Sequence, residues 1–258
     1  MKLAISGKGG VGKSTIAAVL SLLLARQGQR VLALDCDPDA NLAGALGMSN
    51  AEQAKIVPIS EQVALIEERT GAKVKRYGQM FKLNPDVSDI ADNYALKHAG
   101  VDLLVLGAVD TGGGGCGCPE SVLIRALVTD LILYKDETLI MDMEAGVEHL
   151  GRATSRGVDA MLVIVEPGQN SIDCAKRVIR MSKQIGIKDI RFIANKVSDV
   201  EDKAFIESAL EGDELLEALP YSTDIRKADR LEKSIIDALS PEILSRFENI
   251  LAQLMDVK

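Results

Sequence analysis

The chain has 258 residues, 47% of them hydrophobic, and its 30 basic and 38 acidic side chains give a formal net charge of -8. That balance disfavours a protein whose task is to grip nucleic-acid phosphates, because such affinity comes from Lys and Arg displacing counterions. No run reaches the roughly 18 apolar residues of a membrane span, the four cysteines make no disulfide framework, and Lys8 and Lys13 interrupt what would be an export signal. The expected location is the cytoplasm, with neither nucleic acid nor membrane as a partner.

Lys2–Ser6 is the first expected strand, and the helix Lys13–Gln27 follows it across GKGGVGKST, Gly7 to Thr15. This is G-x-x-x-x-G-K-[ST] in the strand–loop–helix setting that a phosphate-binding loop requires. The glycines allow the backbone N–H groups of Gly9, Gly10, Val11, Gly12, Lys13, Ser14 and Thr15 to converge on phosphate oxygens. Lys13 is placed to reach the β- and γ-phosphates, and Ser14 to ligate Mg²⁺. The positive end of the helix adds to the same site. A nucleoside triphosphate with magnesium is the expected ligand.

Arg30–Cys36 reads as the second strand and ends in LDCDP, Leu34 to Pro38, which puts Asp35 and Asp37 at a strand's carboxyl end. The polar stretch from Ser49 to Ala99 reads as an irregular insertion. The strand Val101–Gly107 leads into TGGGGCGCPES, Thr111 to Ser121, and then into the helix Pro119–Tyr134. Leu139–Asp142 brings Asp142 to a strand end, the place of an aspartate that holds Mg²⁺ through water. The strand Ala160–Glu166, the helix Asn170–Ile185, the strand Ile190–Asn195 and the helix Glu201–Leu210 complete the alternation. Pro241–Met255 is amphipathic and poor in basic residues, which suits packing against the body.

Nearly continuous apolar strands alternating with helices predict an α/β fold with a doubly wound, mostly parallel sheet flanked by helices. No repeat or linker divides the chain. Residues 1–258 are expected to form a single P-loop domain, with the irregular insertion at about 49–99.

Cys116 and Cys118 form a C-x-C pair among glycines, just before a helix whose amino-terminal end favours thiolates. Two thiolates half fill a four-coordinate metal site, and a second chain across a twofold axis completes S₄ coordination. That set suits tetrahedral Zn²⁺ or square-planar Ni²⁺. Cys36 and Cys174 read as small core residues. His98 reads as closing a helix-like segment before Gly100. His149, with Glu144 and Glu148, reads as hydrogen-bonded or solvated.

Lys8 stands directly before Gly9-Gly10 and turns the loop into K-G-G-x-G-K-[ST]. With it the chain resembles the deviant Walker A ATPases along nearly its whole length. That family includes the nitrogenase iron protein, the MinD and ParA proteins and metal-cofactor maturation ATPases. The resemblance implies a homodimer that binds ATP or ADP between its subunits, with Lys8 crossing to the partner's phosphates. It implies Asp37 as the residue that orients the attacking water, with Asp35 nearby. It puts Asn195 on adenine with Lys196 beside it, and Ser198 fills the place of the aspartate that reads guanine in N-K-x-D. Asn41 departs from the second switch aspartate of the nitrogenase iron protein.

The C-x-C pair and DMEAGVEHL, Asp142 to Leu150, resemble one branch, the CooC-type ATPases. That resemblance implies nickel, or zinc, on Cys116 and Cys118, and help in inserting nickel into carbon monoxide dehydrogenase. His149 stands where the nitrogenase iron protein has a second cluster cysteine, which argues against an electron-transferring cluster. The rival expectations are a ParA/MinD-like positioning ATPase and an iron–sulphur reductase or scaffold.

Overall fold

A computed structural model describes residues 1–256 apart from 75, 77, 109–117, 148, 153 and 232–233. In chain order its elements begin with β1 (Lys2–Gly7), α1 (Lys13–Arg26), β2 (Val31–Asp35), α2 (Leu42–Ala45), α3 (Asn50–Gln53), α4 (Val63–Thr70), α5 (Ile90–Tyr94), β3 (Leu96–His98) and β4 (Val101–Val105). They continue with α6 (Pro119–Leu133), β5 (Thr138–Asp142), β6 (Ala160–Val165), α7 (Gln169–Ile185), β7 (Ile190–Val197), α8 (Val200–Ala209), β8 (Glu214–Pro220), α9 (Thr223–Arg230), α10 (Ile235–Ala238) and α11 (Pro241–Met255).

The strands form one sheet in the order β3-β4-β2-β5-β1-β6-β7-β8. All described pairings are parallel except β3 with β4, which is antiparallel. Every residue of β2, β5 and β6 is buried. Helices on both faces of the sheet account for that, because they leave no solvent side for an alternating pattern to serve. One core packs α4, α6, α7 and α8 on one face, through residues such as Ile66, Leu127, Val178 and Ile206. The other packs α1, α2, α10 and α11 on the opposite face, through Leu20, Leu42, Ile236 and Phe247. The doubly wound, mostly parallel α/β expectation is met.

Local chemistry sets the helix ends. Pro119 and Pro241 occupy first-turn positions of α6 and α11, where a missing N–H costs nothing. Asp199 caps α8 by accepting from the Asp202 N–H at 2.8 Å. Gly186 ends α7 in the left-handed conformation at φ 96°. α11 buries Phe247, Ile250 and Leu251, so the carboxyl-terminal amphipathic face lies against the body.

Two features differ from the sequence reading. The stretch 49–99 is more regular than its polarity suggests and supplies α3, α4, α5 and β3. His98 does not close a helix; it lies on β3, paired with Val101 at the sheet edge. The reversal from β3 into β4 runs through Ala99 and Gly100, both with positive φ. Such a tight return favours antiparallel pairing over a continued helix.

Candidate nucleotide site

β1 lies between β5 and β6; the connection after β1 runs to β2 on one side and the connection after β6 runs to β7 on the other, so the strand order reverses at this point. Open α/β sheets place their ligand crevice at such a point. The 7–15 loop sits there. Two of its glycines are required by close approach. A Cβ on Gly7 would stand 2.5 Å from the Ile164 carbonyl oxygen, and one on Gly12, at φ 101°, would stand 2.4 Å from Asn195 Nδ2.

Side chains from distant segments brace the loop. Asn195 Nδ2 donates to the Val11 carbonyl at 2.7 Å, and Lys196 Nζ donates to the Gly10 carbonyl at 2.6 Å. Lys196 also pairs with Glu166 at 2.9 Å, and Lys8 lies 3.8 Å from the other oxygen of the same carboxylate. Asn195, expected on the base, is 7% exposed and in this structure gives its amide nitrogen to the loop backbone.

Lys13 is 6% exposed, with its ammonium 3.6 Å from Asp37 Oδ2. A cleft of about 480 Å³ is lined by Lys13, Ser14 and Thr15 of the loop and α1, by Asp37, Asp39 and Asn41 after β2, and by the apolar Ile225, Ala228 and Ile235 of α9 and α10.

Asp35 and Asp142 end neighbouring strands in direct register. Burial raises both carboxyls, Asp35 to about 7 and Asp142 to about 6, and the charge of Asp142 lifts Asp35 further. The Leu42 and Asp37 N–H groups, at 3.0 and 3.2 Å, pull Asp35 back down. Both oxygens of Asp142 are buried and lack a hydrogen-bond partner among the described residues. The Ser14 hydroxyl and the Lys13 ammonium act on Asp142 to favour its charged form. A buried, unsatisfied carboxylate next to a serine hydroxyl is a hard-oxygen donor set that fits Mg²⁺.

Ser6, at the end of β1, donates to the Glu144 carbonyl at 2.6 Å and so ties the segment after β5 to the loop strand. His149 Nε2 lies within hydrogen-bond distance of the Cys36 carbonyl. Cys36 and Cys174 are buried, and burial pushes the Cys36 thiol well up.

Cys118 is half-buried, stands at the amino-terminal cap of α6 and has its Sγ 2.9 Å from Ser121 Oγ. Cys116 lies outside the described residues, as does Glu148. Among the described residues no three His, Cys, Asp or Glu side chains are grouped to hold a metal ion.

The CobQ/CobB/MinD/ParA nucleotide binding domain matches residues 2–235. The chain belongs to this family. It is a P-loop ATPase; the loop and Asp37 line the cleft at the sheet's switch point, and Asp142 is buried behind it, where Ser14 and Lys13 act on it. The MinD-like family likeness extends to full-length relatives. The carbon monoxide dehydrogenase accessory protein CooC of Rhodospirillum rubrum is 41% identical over 256 residues, covering 99% of this chain and 97% of that protein. An uncharacterized ATP-binding protein of Methanocaldococcus jannaschii is 43% identical, covering 98% of each chain. Within the MinD-like family the chain is of the CooC type. The MinD cell division protein of Aquifex aeolicus matches in fold, with a TM-score of 0.67 and 22% identity over 100% of this chain and 98% of that one.

Sequence reasoning missed Glu166, Ser6 and the apolar lining from α9 and α10. Glu166 did carry a signal. It is a carboxylate directly after the fully buried β6, and charged residues at strand carboxyl ends face the crevice in open α/β sheets.

Proposed function

We propose that the chain is a cytoplasmic homodimeric ATPase that assists maturation of a nickel enzyme of the carbon monoxide dehydrogenase kind. Its cargo, nickel or in its place zinc, is held by Cys116 and Cys118 of two chains. Full-length similarity to CooC carries this reading, since it spans the nucleotide half and the C-x-C region together. Nucleic acid and membrane have no part in it.

In the nucleotide site, Lys13 holds Asp37 while no phosphate competes for it. A bound triphosphate draws the Lys13 ammonium to its terminal oxygens and frees Asp37 to orient water. Ser14 and Asp142 would hold the magnesium, which would neutralise charge on the nucleotide's phosphates. Asn195 and Lys196 hold the loop, and through it the nucleotide, at the end where adenine is expected. Lys8 acts from the partner chain, and a cation supplied in this way contributes about 10³–10⁵ in rate.

Closure on ATP brings two α6 amino-terminal ends, and with them the thiols, to one axis. Metal and nucleotide then alter each other's affinity, because both favour the closed dimer. Metal per chain, measured with and without a non-hydrolysable ATP analogue, tests the reading. The expected result is about one ion per two chains, lost in Cys118→Ala. No cysteine-dependent ion would leave a plain ATP switch. A brown protein with about four irons per dimer would mean a cluster of the iron–sulphur kind instead.

A further inference from the structure

Glu166 follows β6 and meets two lysines with its two carboxylate oxygens. Oε2 accepts from Lys196 Nζ at 2.9 Å, and Oε1 lies 3.8 Å from Lys8 Nζ. Lys196 Nζ donates in addition to the Gly10 carbonyl at 2.6 Å. Its backbone holds φ 59°, a left-handed conformation shared among described non-glycine residues only with Ala99. A lysine adopts that region at a cost, so the surrounding contacts hold it there. The two legs of the network are unequal. The Lys196 leg is short and anchored twice, whereas the Lys8 leg is long and the Lys8 side chain is 42% exposed.

We infer that Glu166 is a positioning residue that parks Lys8 within its own chain, and that Lys8 leaves it only for a stronger anion across the dimer. The inference rests on the proposed action of Lys8 in the partner's site. A terminal phosphate offers Lys8 more charge and more acceptor oxygens than one carboxylate oxygen does. Once Lys8 departs, Glu166 keeps Lys196, and Lys196 keeps Gly10, so the loop holds its shape through the change. Each parked lysine opposes closure of two chains on nucleotide. Glu166 therefore sets the protein concentration at which hydrolysis begins.

The test is ATP hydrolysis per chain as a function of protein concentration, at saturating Mg-ATP, for the full chain and the variants Glu166→Gln, Glu166→Asp and Lys8→Ala. Glu166→Gln retains an oxygen for Lys196 and removes the charge that holds Lys8. Its half-maximal concentration should fall at least about twofold, the scale of a partly exposed ion pair, and the effect should appear there and not in KM for ATP. Glu166→Asp keeps the charge at shorter reach, and its midpoint should lie between those of the wild type and Glu166→Gln.

An unchanged midpoint in Glu166→Gln with an inactive Lys8→Ala would sink the parking role and leave the action of Lys8 across the dimer standing. Wild-type hydrolysis by Lys8→Ala would remove that action itself, whatever Glu166→Gln does. A Glu166→Gln defect confined to a lower melting temperature and a higher KM would make the carboxylate a brace for the loop and overturn the proposal. If Glu166→Gln does not fold, a Glu166→Asp midpoint below that of the wild type supports parking, and one at or above it refutes parking.

Discussion

His149 Nε2 lies 3.1 Å from the carbonyl oxygen of Cys36 and joins the segment after β5 to the segment after β2. A carbonyl only accepts, so this ring nitrogen carries the proton. The Cys36 N–H donates to the Asp142 carbonyl at 2.9 Å, so the two strand ends are tied twice. Asp37 follows Cys36 directly, and a shift of that carbonyl moves the carboxylate that faces Lys13.

Loss of the imidazole should therefore reach the chemistry. His149→Ala should lower kcat for ATP hydrolysis about two- to tenfold, the scale of one net hydrogen bond, with a smaller effect on KM. His149→Gln, which keeps a donor, should recover part of the rate. Steady-state kinetics of the two variants checks this, and equal rates in the wild type and His149→Ala would show the link idle.

The Asp35–Asp142 pair predicts an unusual pH dependence. With pKa values of about 7 and about 6, both groups bind protons in the folded chain that the unfolded chain has already released above pH ~4. Stability therefore falls as pH rises from about 4 to about 7 and levels off above that. Together the two shifts, roughly five pKa units, correspond to a loss on the order of 7 kcal/mol across that window. The melting temperature of the nucleotide-free chain should drop between pH 5 and 8. Asp35→Asn should flatten the drop, and Mg-ATP should also flatten it by favouring charged Asp142. A melting temperature that rises over this range would contradict the assignment.

Asn195→Ala removes the donor that satisfies the Val11 carbonyl. A buried acceptor left without its partner costs about 1–3 kcal/mol. That corresponds to a melting temperature lower by roughly 2–12 °C in a chain of this size. Calorimetry in the absence of nucleotide isolates the effect from any contact with the base.

Two glycine substitutions separate steric clash from backbone strain. In Gly7→Ala the new methyl meets the Ile164 backbone carbonyl, which cannot swing aside. The cost should be about 1–3 kcal/mol or more, with loss of ATP binding. Gly10→Ala meets no atom within 4 Å and carries only the strain of φ 81°, about 1–2 kcal/mol. Nucleotide titration of the two proteins should rank Gly7→Ala as the more damaged.

Much of the phosphate site was legible along the chain because its signals are local. Strand β1, the glycine pattern and the start of α1 are contiguous, and each residue's neighbours in sequence are its neighbours in the loop. Asp37 and Asp142 were legible for the same reason, as acids that end apolar runs. The edge strands were harder to read. β3 has three residues beside a tight reversal, and β8, Glu214–Pro220, is half exposed and carries two glutamates, so neither gives a continuous apolar run.

From the order of its residues alone, this protein's phosphate loop, its alternating α/β layers and the strand-end position of its acids were determined, because the backbone requirements of each act over a few neighbouring residues. Only the tertiary structure decided that Glu166 would stand between Lys8 and Lys196, that Asn195 would bond a carbonyl 184 positions away, and that Ile225 and Ile235 would line the cleft. Those contacts exist because β6 and β7 are laid beside β1 and the last helices fold back over α1. A side chain's partner across a sheet is set by strand order, which no local pattern encodes.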